Sequence, residues 1–109
     1  MADALSIVLA QLNPTVGDLD RNVDALRAAL RAAAGADLVV APELCVAGYP
    51  PEDLVMRPAF QRAVRERIER LAQFTEGGPA LLVGAPWKGE DDRLYNAALL
   101  LQDGKIAAL

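Results

Sequence analysis

The sequence predicts an α/β domain built on a mixed sheet, and three observations carry that prediction. Short apolar runs rich in β-formers alternate with segments whose apolar residues recur every three or four positions. The first two apolar runs flank one such segment through short connections, the pattern of a β-α-β unit with parallel strands. Further on, Asp103-Gly104 joins two apolar runs in the manner of a type I′ hairpin, which adds antiparallel pairing.

The elements follow in order. Leu5 to Ala10 is a strand, ended by Asn13-Pro14 and Gly17, because proline and glycine punctuate local structure. From Asp18 or Asp20 an amphipathic helix begins, with Val23, Leu26, Leu30 and Ala33 on its apolar side and Gly35 as its expected C-cap. Asp37 to Ala41 is the second strand, completing the β-α-β unit. Pro50-Pro51 followed by Glu52-Asp53 reads as a helix start, since proline suits a first turn and acids suit the positive end of the helix dipole. Pro58 to Phe74 forms a second surface helix, with Phe60, Val64, Ile68 and Leu71 inward and Arg62, Glu66 and Arg70 spaced for i,i+4 pairing. Gly77-Gly78-Pro79 breaks it, Ala80 to Gly84 is a buried strand, and Asn96 to Leu101 pairs through Asp103-Gly104 with Lys105 to Leu109. Both long helices are expected on one face of the sheet.

Composition narrows the function classes. A chain of 109 residues fits one small domain able to bury about 65% of its unfolded surface. Apolar residues make up 53% of it and aromatic residues 5%, so the core is expected from Ala, Val and Leu. No apolar run is long enough to cross a bilayer, and Met1-Ala2-Asp3-Ala4 lacks the basic and apolar regions of a secretory signal. A soluble, cytoplasmic protein is the expectation. One cysteine excludes an internal disulfide framework, and the absence of histidine removes the commonest metal ligand and general base. A net charge of −4 argues against binding to a phosphate backbone, so nucleic acid is not an expected partner, and without a spanning run neither is a membrane. The final strand stops on an apolar run without a polar cap, as though cut inside a larger fold.

Glu43 is the leading chemical candidate. It stands where an apolar strand runs into a loop punctuated by Pro42, Gly48, Pro50 and Pro51, the position at which open α/β sheets place their ligands. Such a carboxylate can serve as a general base, or it can pair with an arginine and accept backbone hydrogen bonds. Cys45, two residues on, shares a face with Glu43 if the segment is extended, and otherwise reads as a small buried hydrophobe. Tyr49 is either a loop anchor or a pocket wall. Lys88 and Lys105 lie in polar turns and read as solvated charges rather than oxyanion stabilisers. No glycine arrangement matches a dinucleotide-binding or P-loop pattern, and the arginine-rich second helix is interleaved with Glu66 and Glu69 as a solvated face would be.

Ala41-Pro42-Glu43-Leu44, followed by Gly48-Tyr49, resembles the first catalytic motif of the nitrilase superfamily of carbon-nitrogen hydrolases. The extension Tyr49-Pro50-Pro51-Glu52-Asp53-Leu54, with Arg57-Pro58 and Phe60, is narrower. Together with the run Gln11 to Asp18 and with Leu94-Tyr95-Asn96-Ala97-Ala98, it resembles the glutaminase domain of glutamine-dependent NAD synthetases. The likeness runs along the whole chain and reaches only the beginning of that amidase domain.

The resemblance implies a partial nitrilase-like αββα sandwich, with residues 1–109 supplying the first strands and helices of a four-layer domain. It implies a Glu-Lys-Cys amidase in which the glutamate deprotonates the cysteine, the thiolate attacks the glutamine side-chain amide, and the lysine helps stabilise the oxyanion. Glu43 matches the base and Tyr49 a residue lining the glutamine and ammonia pocket. The family's lysine and cysteine fall beyond this chain, and neither Lys105 nor Cys45 replaces them. No cofactor is implied for this segment; the parent enzyme uses ATP with magnesium in a separate synthetase domain. Glutamine, the missing C-terminal half and the synthetase domain are the implied partners. The isolated segment is expected to be catalytically silent and to self-associate through uncovered sheet surface, and the parent to be a homo-oligomer. Two other readings stay open: another nitrilase-type hydrolase of small amides, and a noncatalytic α/β interaction module.

Overall fold

The computed structural model of the chain describes residues 4–109; Met1 to Asp3, part of the stretch read for a missing signal, lies outside the described residues. Its order is β1 (Ile7–Leu9), α1 (Leu19–Ala32), β2 (Leu38–Val40), a 3-10 turn (Glu52–Met56), α2 (Pro58–Gln73), β3 (Ala80–Lys88), β4 (Leu94–Gln102) and β5 (Lys105–Ala108). The five strands form one sheet in chain order. Strands β1, β2 and β3 are parallel, while β4 and β5 are each antiparallel to the preceding strand. The mixed sheet and the β-α-β start therefore follow the sequence expectation.

Register explains which side is covered. The row Val8–Val39–Leu81–Leu101–Ile106 crosses all five strands, and the helices pack over all of it but Val8 at the edge. Leu26 and Leu30 of α1 and Val64, Ile68 and Leu71 of α2 are buried there, each contributing about 1.5–3 kcal/mol relative to exposure. Arg67 ties α2 to Asp20 of α1 at 3.2 Å. Trp87 closes the far end of this core beneath the Arg65 guanidinium, 4.1 Å from its ring centre, while Arg65 also donates to the Lys88 carbonyl. The adjacent row, Leu9–Val40–Leu82–Leu100–Ala108, lies on the opposite side, and no helix of the described residues covers it.

Several local expectations need correction. Gly35 is not a left-handed cap; α1 is capped by Ala33, whose N–H bonds the carbonyls of Ala29 and Leu30. At its other end Asp18 is the N-cap and accepts from the Arg21 N–H. The helix start read at Pro50-Pro51 is present as a short 3-10 helix, Glu52–Met56, with Pro51 as its N-cap and Glu52 and Asp53 in its first turn. Strand β3 runs four residues past Gly84 to Lys88, through Pro86. Its partner β2 ends opposite Leu82, so Pro86 has strand neighbours on one side only, the edge condition under which a sheet tolerates proline. The hairpin turn Asp103-Gly104 matches its reading, with positive φ at both residues.

Candidate active site

Strand β2 ends at Val40, and the chain then passes through Ala41 and Pro42 into a turn beginning at Glu43. This segment is not extended. Leu44 is buried with φ of 51°, a left-handed conformation unusual for a branched side chain, and it turns the chain sharply after the glutamate. Glu43 consequently points outward while Leu44, Cys45, Val46 and Ala47 are buried, so the acid and the thiol do not share a face. The shared face that an extended segment would have given Glu43 and Cys45 does not arise, because the period-two geometry of a strand does not hold in a turn, and Cys45 is the small buried hydrophobe of the other reading.

Three neighbours fix this turn. Gly84 of β3 lies directly beneath it, so close that a Cβ there would sit 2.5 Å from the Leu44 nitrogen, 2.8 Å from the Pro42 oxygen and 3.0 Å from the Glu43 Cα. The buried Asn22 side chain of α1 donates to the carbonyls of Val46 at 2.9 Å and Thr15 at 2.8 Å, and accepts from the Thr15 N–H at 2.8 Å. Gly48, with φ of 87°, lets the backbone press on Val16, where a Cβ would stand 2.5 Å from the Val16 Cα. The Gly17 N–H donates to the Ala47 carbonyl at 2.9 Å, joining the same two loops. The turn is thereby anchored to the sheet, to α1 and to the loop after β1.

The Glu43 carboxylate is exposed rather than buried, and the Asn96 amide of β4 donates to its Oε1 at 2.5 Å. Both residues border a cleft of about 240 Å³ whose lining also includes Pro42, Leu82, Gly84 and Ala98. This cleft lies on the uncovered side of the sheet, where Leu82, Gly84 and Asn96 share a face in register with Leu100, Ala98 and Pro86. A carboxylate at the rim of an apolar surface can take a proton from an incoming acid and return it, the task of a general base.

Other candidates fall elsewhere. Tyr49 is exposed and does not line the Glu43 cleft. Cys45 is buried, its sulfur 3.7 Å from the Gly84 carbonyl, and burial pushes its thiol up to about 11. A thiol so placed is a core residue, not a nucleophile. Lys88 pairs with Asp92 at 3.0 Å, and Lys105 is exposed at the start of β5. Another depression, about 270 Å³ between Arg27, Phe74 and Pro79, has no carboxylate in its lining. No cluster of three His, Cys, Asp or Glu suited to a metal ion occurs among the described residues. Sequence reasoning had given Asn22, Asn96 and Gly84 no place in the site, although Asn96 stands in the quoted run Leu94-Tyr95-Asn96-Ala97-Ala98. Asn22 had left a signal, since it falls between Leu19 and Leu26 on the apolar side of α1.

The chain belongs to the carbon-nitrogen hydrolase family, whose profile matches residues 6–108. Its relatives narrow the comparison. It is 46% identical to the glutamine-dependent NAD(+) synthetase of Rhodobacter capsulatus over 99% of its own length, and 45% identical to that of Thermotoga maritima over 94%. It spans only 20% and 18% of those two proteins. Among solved structures, the glutamine-dependent NAD+ synthetase of Acinetobacter baumannii superposes with a TM-score of 0.86 at 29% identity, covering 95% of this chain and 20% of that one. An amidase from Nesterenkonia sp. superposes with a TM-score of 0.78 at 27% identity, over 95% of this chain and 41% of that one. The fold is accordingly part of a nitrilase-like hydrolase, and the chain corresponds to carbon-nitrogen hydrolase sequence within glutamine-dependent NAD synthetases.

Proposed function

We propose that this chain is the first part of a glutamine amidase domain, carries its general base, and supplies ammonia for NAD formation in a longer protein. The observation that carries the reading is Glu43, held by Asn96 at the rim of an apolar cleft on the open side of a carbon-nitrogen hydrolase sheet. The identities of 46% and 45% to glutamine-dependent NAD(+) synthetases support glutamine as the amide.

In this reading Glu43 takes the proton of a cysteine thiol supplied by sequence outside these residues. The thiolate adds to the glutamine carboxamide carbon, and the proton passes from Glu43 to the amide nitrogen as the C–N bond breaks. Ammonia leaves and a glutamyl thioester remains. Glu43 then accepts a proton from water, the hydroxide cleaves the thioester, and glutamate departs with the thiol restored. A structure of the Nesterenkonia amidase with acrylamide added to its active-site cysteine supports the cysteine route, and Cys45 is too deeply buried to supply it. A lysine from the same outside sequence assists the oxyanion. Tyr49 lines the amide pocket once that sequence is in place. The ammonia is used by a separate ATP- and magnesium-dependent unit in a cytoplasmic, homo-oligomeric enzyme.

The uncovered row from Leu9 to Leu100 supports the incompleteness of the site, since a soluble domain rarely leaves so broad an apolar face open. The rest of the amidase domain covers it in the longer protein, and self-association covers it in the isolated chain. The test is ammonia release from glutamine by this polypeptide and by the longer protein. Activity confined to the longer protein, undiminished by Cys45→Ala, is the expected result. Turnover by the short chain that disappears with Cys45→Ala would overturn the reading.

A further inference from the structure

We infer that Asn96 is a positioning residue for the Glu43 base: its side-chain amide holds one carboxylate oxygen so that the other faces the cleft. The inference rests on the amidase reading above. Glu43 is exposed at the first position of a turn, and a glutamate so placed ordinarily samples many rotamers, an entropy that must be removed before it can accept a proton along a fixed line. Among the described residues the Asn96 Nδ2 is the group that hydrogen-bonds the carboxylate, at 2.5 Å to Oε1. The donor is itself rigid. Asn96 lies in β4, paired in register with Pro86 of β3, and Pro86 and Gly84 belong to the strand on which the Glu43 turn rests. Base and positioning residue are thus referenced to one strand, although they lie 53 positions apart in the chain.

The chemistry of an amide suits the role. Asn donates a hydrogen bond without carrying a titratable proton, so it orients the carboxylate in its ionised form and leaves Oε2 free to accept. An aspartate at the same place would have almost the same shape and no N–H. Two carboxylates within hydrogen-bond distance share a proton, which keeps the base protonated to higher pH. A residue that served packing alone would be indifferent to that exchange.

The experiment is the pH profile of glutamine-dependent activity in the full-length protein for wild type, Asn96→Asp and Asn96→Ala, with ammonia-dependent NAD formation measured in parallel. For Asn96→Asp the acid limb of kcat/KM is expected to move up by at least about one pH unit, because the ionised base is reached later. For Asn96→Ala, kcat for glutamine is expected to fall roughly 10- to 100-fold with little change in KM, the signature of lost orientation rather than lost binding. Ammonia-dependent activity stays at the wild-type level in both, which reports an intact synthetase unit, while the retained KM for glutamine reports a folded amidase site. If wild type uses glutamine and Asn96→Asp retains the wild-type acid limb, the role of Asn96 is overturned while the amidase reading stands. Wild type unable to use glutamine at any pH overturns the amidase reading and this inference with it.

Discussion

Replacing Gly84 by alanine is the perturbation that most directly probes how the fold places Glu43, the proposed base. The added methyl would meet three backbone atoms of residues 42–44, the nearest at 2.5 Å, where ordinary contact begins at 3.4 Å. Backbone atoms cannot rotate aside as a side chain can, so the Glu43 turn must lift by roughly 0.9 Å, the difference between those two distances. A displacement near 1 Å at a catalytic group is enough to lower turnover by about 10²-fold. Overpacking in a core costs about 1–3 kcal/mol, which a folded domain can survive. The Gly84 backbone is not in the left-handed region, so alanine meets no conformational penalty and the effect is steric alone. The assay is glutamine-dependent against ammonia-dependent NAD formation by the full-length protein, with Gly35→Ala as control, because nothing lies within 4 Å of a Cβ there. Gly84→Ala is expected to lose glutamine-dependent turnover selectively, and Gly35→Ala to lose nothing. Wild-type use of glutamine by Gly84→Ala would refute the claim that this close contact sets the position of Glu43.

Two further outcomes follow from buried groups. Asn22→Ala removes three hydrogen bonds and, among the described residues, leaves the Val46 carbonyl and the Thr15 N–H without a partner, so denaturant unfolding should show a loss of about 2–4 kcal/mol; a change below about 0.5 kcal/mol would mean that the network is not what anchors the turn. The Cys45 thiol, raised from 9.0 to about 11 by burial, favours the folded state while protonated, so its contribution is complete below pH 9 and is lost as pH climbs toward 11. That window of two pH units corresponds to about 3 kcal/mol, and comparing wild type with Cys45→Ala across it should show the wild type losing the extra stability. Parallel curves would place the thiol in contact with solvent.

Much of the architecture was legible because it is local. The 3.6-residue spacing of Leu26 and Leu30, and of Val64, Ile68 and Leu71, is fixed by which face each helix must bury, and Asp18 and Pro58 mark their starts. The Asp103-Gly104 turn was readable from two residues. The continuation of β3 through Pro86 was not, because a proline is tolerated there only through the shortness of a neighbouring strand. Glu43 was legible as a candidate, yet its setting was not. Its exposure depends on the left-handed Leu44, its height above the sheet on Gly84, and its hydrogen bond on Asn96, three features contributed by segments that meet only in the folded chain. Asn22 shows the intermediate case. A polar residue at an apolar position of a helix announces a buried partner, without saying that the partner is the loop after β2.

The most direct measurement is Glu43→Gln in the full-length protein, with NAD formation followed from glutamine and from ammonia. The substitution keeps the side chain's size and removes its capacity to accept a proton. Glutamine-dependent synthesis should fall by roughly 10²–10⁴-fold, with ammonia-dependent synthesis unchanged. Equal loss from both nitrogen sources, or retained use of glutamine, would contradict the assignment of Glu43 as the amidase base.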